Sequence, residues 1–432
     1  MLVQEKPSHA RYWVVVFVSL LAGILYIDRA CISQAGPTIQ GEFHLTKESM
    51  GLVYSAFTLA YALFEVPGGW LGDRFGVRKV LTRIVVWWSL FTAATGLAWN
   101  YGSLLLTRFL FGAGEAGCFP NTAKAYSIWL PSSERNRAQS VLWISARWSG
   151  AFTPLLVLYI LRIPGVTWRQ VFMIFGSVGM LWAIFYYLWF RDKPEDHRGV
   201  NGAERALLSE NARMTSGHGR VPWARFFSSG TTWLIWLQYF CFSYVWYFYI
   251  TWLPTFLGEK FPNLGPEPRA LLAGFPLFMG GLGSFCTAFF STAITRWTGS
   301  VARTRRFIAC SGFTAAALAL LVPTLRSDPL FVMGSLGLAS FLCDFVIPVS
   351  WSTCIDVGGR FSGTYSGSMN MMGNLGGAVG PYMIGLILTR MNNNWNVTYY
   401  VSSAVFLIGA ACWLFIDPVT PMDEPDSPPR AA

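Results

Sequence analysis

Two pairs of acidic and basic side chains stand inside strongly apolar stretches of this 432-residue sequence. Asp28 and Arg29 interrupt the run LLAGILYIDRACISQAG, and Arg108 and Glu115 interrupt the run LLLTRFLFGAGEAGCFP. A charged side chain at the centre of a bilayer costs at least about 2.5–3.5 kcal/mol, so such residues need partners, a watery cavity or a function. Two acids beside two bases indicate a site that handles protons and anions.

The spacing of these four residues favours a shared cavity. Arg108 and Glu115 are seven positions apart, which places them on one helix face about 10 Å apart along the axis. Asp28 and Arg29 point about 100° apart, so one can face a cavity while the other leans toward a neighbouring helix. An arginine can hold a carboxylate through two hydrogen bonds without losing its proton. The alternative is that Asp28 with Arg29, or Glu115 with Arg108, only neutralise each other; such pairs seldom stabilise more than apolar residues do.

A third base, Arg147, lies in the apolar run VLWISARWSGAFTP, and a third acid, Asp344, lies in FLCDFVIPVSWS. Three interpretations of Arg147 stay open. It could recognise the second carboxylate of a diacid, it could pair with Asp344, or it could lie close to the membrane boundary. Asp344 shares a helical stripe with Trp351, so it could face the same cavity, but the sequence does not assign its role.

Polar and aromatic residues in the apolar segments are the expected lining of such a cavity. Buried amides are stronger candidates than aromatic residues, because an amide in hydrocarbon requires a hydrogen-bond partner. Aromatic residues more often pack or anchor a helix at the membrane interface. The predicted lining residues are Tyr26, Tyr61, Gln238, Tyr244, Tyr247, Trp351, Asn370 and Asn374.

The composition indicates the class of structure that positions these residues. With 53% hydrophobic and 12% charged residues, the chain is too apolar for an ordinary soluble protein. We predict an all-α polytopic membrane protein with twelve transmembrane helices and no cleavable signal peptide. The predicted segments are residues 11–35, 49–70, 80–98, 102–129, 137–161, 167–190, 231–258, 269–295, 304–324, 328–355, 361–388 and 396–417.

One long hydrophilic break divides six of these segments from the other six. We predict a six-helix bundle at 1–190, a cytoplasmic linker at 191–230, a second bundle at 231–417 and a disordered tail at 418–432. With the N-terminus in the cytoplasm, inside loops carry about 21 Lys and Arg and outside loops about seven, so both termini are predicted to be cytoplasmic.

The charge and the cysteines exclude several classes of protein. The net charge of +10 is explained by loops that face an anionic lipid leaflet, so no nucleic-acid partner is expected. The eight cysteines stand singly within apolar segments, which indicates neither disulfides nor a metal site. No cofactor is expected either.

The loop at 69–79, Gly-Trp-Leu-Gly-Asp-Arg-Phe-Gly-Val-Arg-Lys, resembles the G-x-L-x-D-R-x-G-x-R-K loop of the major facilitator superfamily. By its own chemistry, Asp73 can pair with Arg78 or with the N-terminus of a neighbouring helix, and Gly72 and Gly76 permit a tight turn. The resemblance implies a gating loop that favours the outward-open state by docking on helix 11. Its residues would be Gly69, Asp73, Arg74, Gly76, Arg78 and Lys79.

Several further stretches resemble the anion:cation symporter family within that superfamily. They are YIDRA at 26–30, RFLFGAGEAGCFPN at 108–121, W-R-x-V-F at 168–172, FRDKPEDH at 190–197 and YFYITWLPTFL at 247–257. The resemblance implies that the matching arginines, Arg29 and Arg108, bind a substrate carboxylate. It also implies that Asp28 and Glu115 are protonatable coupling groups. Tyr26, Tyr61, Gln238 and Asn370 fall near positions that bind substrate hydroxyls in that family.

The expected function is import of an organic anion with protons by alternating access in the bacterial inner membrane, by a monomer. The resemblance indicates a sugar acid such as a hexuronate, aldonate or aldarate, and sodium coupling stays open. A proton-coupled efflux antiporter for amphipathic compounds is the alternative, and the buried arginines disfavour it. A sensor or a membrane enzyme would need a signalling or catalytic domain that the sequence lacks.

Overall fold

The computed structural model of the protein describes residues 6–214, 223–358 and 361–422, and the regular elements in these ranges are helices. In the first half the helices are α1 (Ala10–Glu42), α2 (Lys47–Phe75), α3 (Val77–Thr95), α4 (Tyr101–Glu115), α5 (Cys118–Trp129), α6 (Ser132–Leu161) and α7 (Trp168–Trp189). A short 3-10 helix (Pro194–Asp196), α8 (Gly202–Met214) and α9 (Trp223–Ser228) follow in the linker.

The second half begins with α10 (Gly230–Thr251) and α11 (Leu253–Lys260). The remaining helices are α12 (Pro266–Thr298), α13 (Val301–Ala319), α14 (Val322–Leu325), α15 (Pro329–Asp344), α16 (Ile347–Gly358), α17 (Ser362–Arg390) and α18 (Trp395–Phe415). Most of the predicted tail falls on residues 423–432, which lie outside the described ranges, as do residues 215–222 of the linker.

Nine stretches of helix among the described residues are long and apolar enough to cross a membrane. The other three predicted crossings correspond to α3, α4 with α5, and α10 with α11. The described residues are thus all-α, with helices at each of the twelve segments that hydropathy predicts.

Among the described residues, the crossing of α4 and α5 is interrupted, because Ala116 and Gly117 leave the right-handed helical conformation. Gly117 has a φ of 83°, a left-handed conformation that a residue without a Cβ adopts readily. By contrast, Trp252 between α10 and α11 keeps helical dihedral angles, and α13 with α14 and α15 with α16 each form one continuous crossing.

The chain forms two compact units that do not follow the linker. Unit 1 contains Met1–His218, Phe248–Phe278 and Pro381–Asn393, and unit 2 contains Gly219–Tyr247, Met279–Gly380 and Asn394–Ala432. Within unit 1, Trp252 of α11's N-cap donates its indole N–H to the carbonyl of Pro381 at 2.9 Å. The Trp252 ring also packs edge-on against Tyr54 of α2, with centroids 5.4 Å apart. Stretches from the second half of the sequence therefore pack on α2.

Helices α2 and α5 are in backbone contact at glycines. A Cβ on Gly68 would lie 2.8 Å from the carbonyl oxygen of Ala116 and from the Cα of Gly117. Asn121 of α5 donates to the carbonyls of Gly68 at 3.1 Å and Gly117 at 2.7 Å, which bonds the interruption of α4–α5 to α2. Small residues at such contacts let membrane helices approach closely.

Glycines also mediate the packing of α17 on α10 within unit 2. A Cβ on Gly380 would collide with the carbonyl of Tyr244, and one on Gly377 would collide with the ring of Tyr247. The carbonyl of Phe240 meets Gly376 in the same way. Gly376, Gly377 and Gly380 therefore let α17 pack closely on α10.

A buried ionic network ties the start of the chain to the linker. Glu204 of α8 is fully buried and accepts a hydrogen bond from Arg11 Nη1 at 3.0 Å. The hydroxyl of Ser8 donates to the same carboxylate, and Arg11 Nε donates to Glu134 of α6 at 3.0 Å. The first part of the linker is therefore fixed to the first bundle by charge-assisted hydrogen bonds.

His197 in the linker lies between two tryptophans. Its ring centroid is 5.5 Å from that of Trp129 and 4.6 Å from that of Trp189, and its Nδ1 accepts a hydrogen bond from the amide of Gly199 at 3.1 Å. Burial, together with the positive charge of Arg191, lowers the pKa of this imidazole below its usual 6.5. The neutral ring is the form that this packing favours.

We expect Gly68→Ala to destabilise the protein, because the added methyl group meets backbone atoms of the α4–α5 interruption rather than a movable side chain. Overpacking of this kind costs about 1–3 kcal/mol. The measurement is the thermal unfolding midpoint of the purified protein in detergent. Gly41→Ala is the matched control, since a Cβ on Gly41 meets nothing within 4 Å. Equal midpoints for both variants would contradict the close contact.

Acid is expected to loosen the first part of the linker through His197. The folded-state pKa is lowered, so His197 is neutral in both states above pH 6.5. As the pH falls below 6.5, the unfolded segment binds a proton more readily than the folded one, and this packing loses stability. Limited proteolysis around residues 195–208 should therefore accelerate from pH 7.5 to pH 5.5 in the wild type. His197→Gln removes the titrating group. If proteolysis of this variant accelerates with acid as much as that of the wild type, His197 is not the group that loosens the linker.

Candidate functional site

A buried ion pair between α1 and α4 forms the centre of the site. Arg29 Nε donates to Glu115 Oε1 at 2.6 Å, and Arg29 Nη2 contacts the same carboxylate oxygen. Glu115 is fully buried and is the last residue of α4, directly before the interruption that Gly117 closes. Arg29 thus pairs with Glu115, a partner that neither sequence-based pairing anticipated.

Three aromatic rings surround the Arg29 guanidinium. Its Cζ lies 4.9 Å from the ring centroid of Tyr61, 5.0 Å from that of Phe57 and 5.6 Å from that of Tyr26. Rings at these distances attract a cation through their negative faces, most strongly where water is excluded. Phe57 was not among the predicted lining residues. Its position one helical turn before Tyr61 on α2 is the signal that could have identified it.

Asp28 and Arg108 extend the site beyond this ion pair. Asp28 is fully buried, and neither of its carboxylate oxygens has a hydrogen-bond partner among the described residues. Its electrostatic neighbours include Arg108 and Glu115, and Trp88 and Thr92 of α3 lie beside it. The sequence reasoning did not identify Trp88 or Thr92.

Arg108 is held by rings rather than by a carboxylate. Its Cζ lies 4.2 Å from the centroid of Phe111 and 5.5 Å from that of Phe57. Arg108 is 1% exposed, and its Nε and Nη1 atoms have no hydrogen-bond partner within the described chain. The Phe57 ring is therefore shared by the guanidinium groups of Arg29 and Arg108.

Arg147 is buried in the middle of α6. It is 5% exposed and stands ten positions after Arg137, where the apolar span begins, which corresponds to about 15 Å along the helix axis. Its Cζ lies 5.9 Å from the ring centroid of Tyr26, the same ring that borders Arg29.

The predicted gating loop is a sharp helix-to-helix turn. Gly76, with a φ of 85°, separates α2 from α3, and the carboxylate of Asp192 accepts a hydrogen bond from the backbone amide of Arg78 at 2.9 Å. A carboxylate at the N-terminus of α3 interacts favourably with the helix dipole. The side chain of Asp73, for which the sequence left open a pair with Arg78 or the N-terminus of a neighbouring helix, lies outside the described part.

The basic residues of this loop contact aromatic residues and main-chain atoms. Arg78 donates from Nε and Nη2 to the carbonyl of Tyr187 at 2.9 and 2.7 Å. The guanidinium of Arg74 lies over the ring of Trp70, Lys79 is exposed, and Gly69 lies against Pro120 of α5.

The predicted site residues of the second half belong to unit 2. Gln238 is fully buried, and its Oε1 accepts hydrogen bonds from Ser350 at 3.4 Å and from Trp413 at 3.3 Å. Tyr244, which is 5% exposed, packs its backbone against α17. Asp344 is the fully buried last residue of α15.

The side-chain amide of Asn374 on α17 connects Tyr247 of α10 to the backbone of α17. The hydroxyl of Tyr247 donates to Asn374 Oδ1 at 3.2 Å, and Asn374 Nδ2 donates to the carbonyl of Asn370 at 3.1 Å. Trp351 of α16 donates its indole N–H to the hydroxyl of Tyr239 at 3.1 Å.

The structure therefore brings one group of predicted residues together within unit 1. These residues are Tyr26, Asp28, Arg29, Tyr61, Arg108, Glu115 and Arg147. Their fixed guanidinium charges can bind an anion, and their carboxylates can exchange protons. Within the described ranges, no group of three or more His, Cys, Asp or Glu residues could hold a metal ion.

The chain is similar to several bacterial transporters over most of its length. The chain is 32% identical to the probable sulfoacetate transporter SauU of Cupriavidus necator, over 98% of this chain and 97% of that protein. It is 28% identical to the probable galactarate/D-glucarate transporter GarP of Escherichia coli, covering 96% of each chain. It is 26% identical to the hexuronate transporter of Bacillus subtilis, covering 87% of this chain and 88% of that protein.

Solved structures agree on the fold. The crystal structure of a D-xylose-proton symporter superposes with a TM-score of 0.73 at 12% identity, over 95% of this chain and 99% of that chain. An inward-facing, occupied bacterial homologue of the human lysosomal transporter Spinster gives a TM-score of 0.70 at 21% identity, over 94% of each chain. The family model of the Major Facilitator Superfamily matches residues 18–381. The chain therefore belongs to the Major Facilitator Superfamily, and its relatives are transporters of the kind found in the anion:cation symporter family of sugar-acid carriers.

Proposed function

We propose that this transporter imports a small organic anion together with protons, and that Arg29 exchanges the carboxylate of Glu115 for an acidic group of the substrate. The observation that carries the proposal is the buried Arg29–Glu115 pair within its aromatic surroundings. The names of the relatives support the substrate class, since sulfoacetate, galactarate, glucarate and hexuronates are all organic acids.

The exchange follows from competition for one cation. A charged Glu115 occupies the guanidinium of Arg29 and repels a second anion. A proton on Glu115 weakens this pair and leaves the guanidinium to a substrate carboxylate or sulfonate, which it can hold through two charge-assisted hydrogen bonds. Proton and anion then favour each other's binding by the same factor, because coupling between binding sites is reciprocal.

The position of Glu115 at the end of α4 supports its role as a proton acceptor. The last carbonyls of a helix lack intrahelical partners and carry the negative end of the helix dipole. A carboxylate at that end is disfavoured unless a cation compensates it, and here Arg29 is that cation. When Arg29 turns to the substrate, a protonated Glu115 avoids a buried negative charge beside these carbonyls.

Asp28 and Arg108 form the second part of the proposed machinery. A fully buried carboxylate is costly in its charged form, so Asp28 is suited to carry a proton through part of the cycle. Because Arg108 and Glu115 are electrostatic neighbours of Asp28, the protonation of Asp28 depends on the charge state of the Arg29–Glu115 pair. Arg108 would then contribute a second positive charge to the substrate.

Contacts within unit 1 support alternating access. On the face that carries the α1–α2 turn, Lys47 pairs with Glu259 of α11 at 2.6 Å, and Tyr382 of α17 donates to Glu48 at 3.3 Å. These contacts, with Trp252 against Tyr54, cover the ends of α1 and α2 on that face. We place this face outside and both termini in the cytoplasm of the inner membrane, following the distribution of Lys and Arg.

Glu115→Gln is expected to abolish proton-driven accumulation of anion while exchange of internal for external anion continues. The amide cannot carry the coupling proton, but it leaves Arg29 available to the substrate. The measurement is uptake of labelled sulfoacetate, D-glucarate and D-galacturonate into proteoliposomes, with and without an inward proton gradient. We expect the gradient to raise wild-type uptake at least tenfold and to leave the variant unaffected.

Controls separate coupling from binding. Glu195→Gln makes the same chemical change at an exposed linker residue and should behave as wild type. Arg29→Gln should lose both accumulation and exchange. Gradient-driven accumulation by the Glu115→Gln variant would refute the coupling role of Glu115. A wild type that takes up none of the three anions would refute the proposed substrate class.

A further inference from the structure

We infer that Arg147 and Tyr26 form a subsite for a second acidic group, so that the transporter prefers dianions to monoanions of the same length. The inference rests on the proposed function, because it assigns the far end of the same substrate. It adds a specificity element on α6 to the coupling machinery of α1 and α4.

The first support is the depth of Arg147. It is 5% exposed in the middle of a helix that crosses the membrane. An arginine keeps its charge in such surroundings, and a charged residue at that depth usually marks a pathway for substrate or ions. A neutral residue at this position would serve packing at lower energetic cost.

The second support is the ring that Arg147 shares with Arg29. The Tyr26 centroid is 5.6 Å from the Cζ of Arg29 and 5.9 Å from the Cζ of Arg147. Two guanidinium groups that border one ring can contact the two ends of a short chain at the same time. A monoanion compensates the charge of one of them, whereas a dianion compensates both.

The third support is the fixed position of the ring. A Cβ on Gly150 of α6 would lie 3.3 Å from Cδ1 of Tyr26, so the ring packs directly on the backbone of α6 one turn after Arg147. A Cβ on Gly23 of α1 would lie 2.8 Å from the hydroxyl of Ser149. This close approach of α1 and α6 holds Tyr26 and Arg147 in place, as a selective site requires.

Two matched pairs of anions test the inference. D-Glucarate and D-gluconate share six carbons and differ in one terminal carboxylate, and sulfoacetate and isethionate differ in the same way on two carbons. The experiment measures the concentration of each that halves uptake of a labelled dianion into proteoliposomes at fixed pH and ionic strength. We expect the wild type to favour the dianion of each pair by at least tenfold.

Arg147→Gln should reduce that preference at least tenfold, because the dianion loses a partner that the monoanion does not use. Arg147→Lys keeps the charge and should retain part of the preference. A reduction that is equal for both members of each pair would show a purely structural role and overturn the inference. A wild type that binds mono- and dianions equally would overturn it as well.

Three further cases are distinguishable. If Arg147→Gln does not fold, as size-exclusion chromatography would show, Tyr26→Leu carries the test, with loss of preference expected and an unchanged preference overturning the inference. If the wild type takes up monoanions and dianions alike with a proton gradient, the proposed function stands while the dianion subsite fails. If it takes up neither kind, the proposed function itself fails.

Discussion

The buried pair of Arg29 and Glu115 is the interaction on which the rest of the site depends. Removing both charges from water costs several kcal/mol per ion, and apolar side chains of similar volume would often stabilise the fold more. The pair joins the middle of α1 to the end of α4, with the rings of Tyr26, Phe57 and Tyr61 around it. An arrangement this costly for stability fits the exchange of partners that we propose for Arg29.

The surrounding contacts hold this pair in place. Asn121 bonds the interruption between α4 and α5 to α2, and Lys124 donates to the carbonyl of Gly72 at 2.9 Å near the end of α2. Asp192 caps α3 from the start of the linker. These hydrogen bonds connect main-chain groups at helix ends, where carbonyls and amides otherwise lack partners. These hydrogen bonds fix the ends of the helices around the site, in addition to the packing between the helix faces.

Residue types and hydropathy predicted the helical architecture and the charged residues of the site. They could not predict that Arg29 pairs with Glu115, because adjacency and spacing give the direction of a side chain but not its partner on a distant helix. The interruption at Gly117 was missed because glycine is common inside membrane helices and the apolar character of the segment continues through it. The cap that Asp192 forms depends on the linker folding back, which no local pattern records.

The interruption after Glu115 sets this carboxylate apart from the buried acid at the matching place in the second half. Counted as membrane crossings, α4 begins the fourth crossing of the first half and α15 the fourth of the second, and each ends on a buried acid, Glu115 or Asp344. The backbone differs between the two places: Ala116 and Gly117 leave the right-handed helical conformation, whereas Phe345 after Asp344 keeps it. Glu115 therefore stands at a joint between two helix segments, and Asp344 stands within a continuous crossing. A rotation of either segment at the joint moves the carboxylate of Glu115 without bending a helix that spans the membrane.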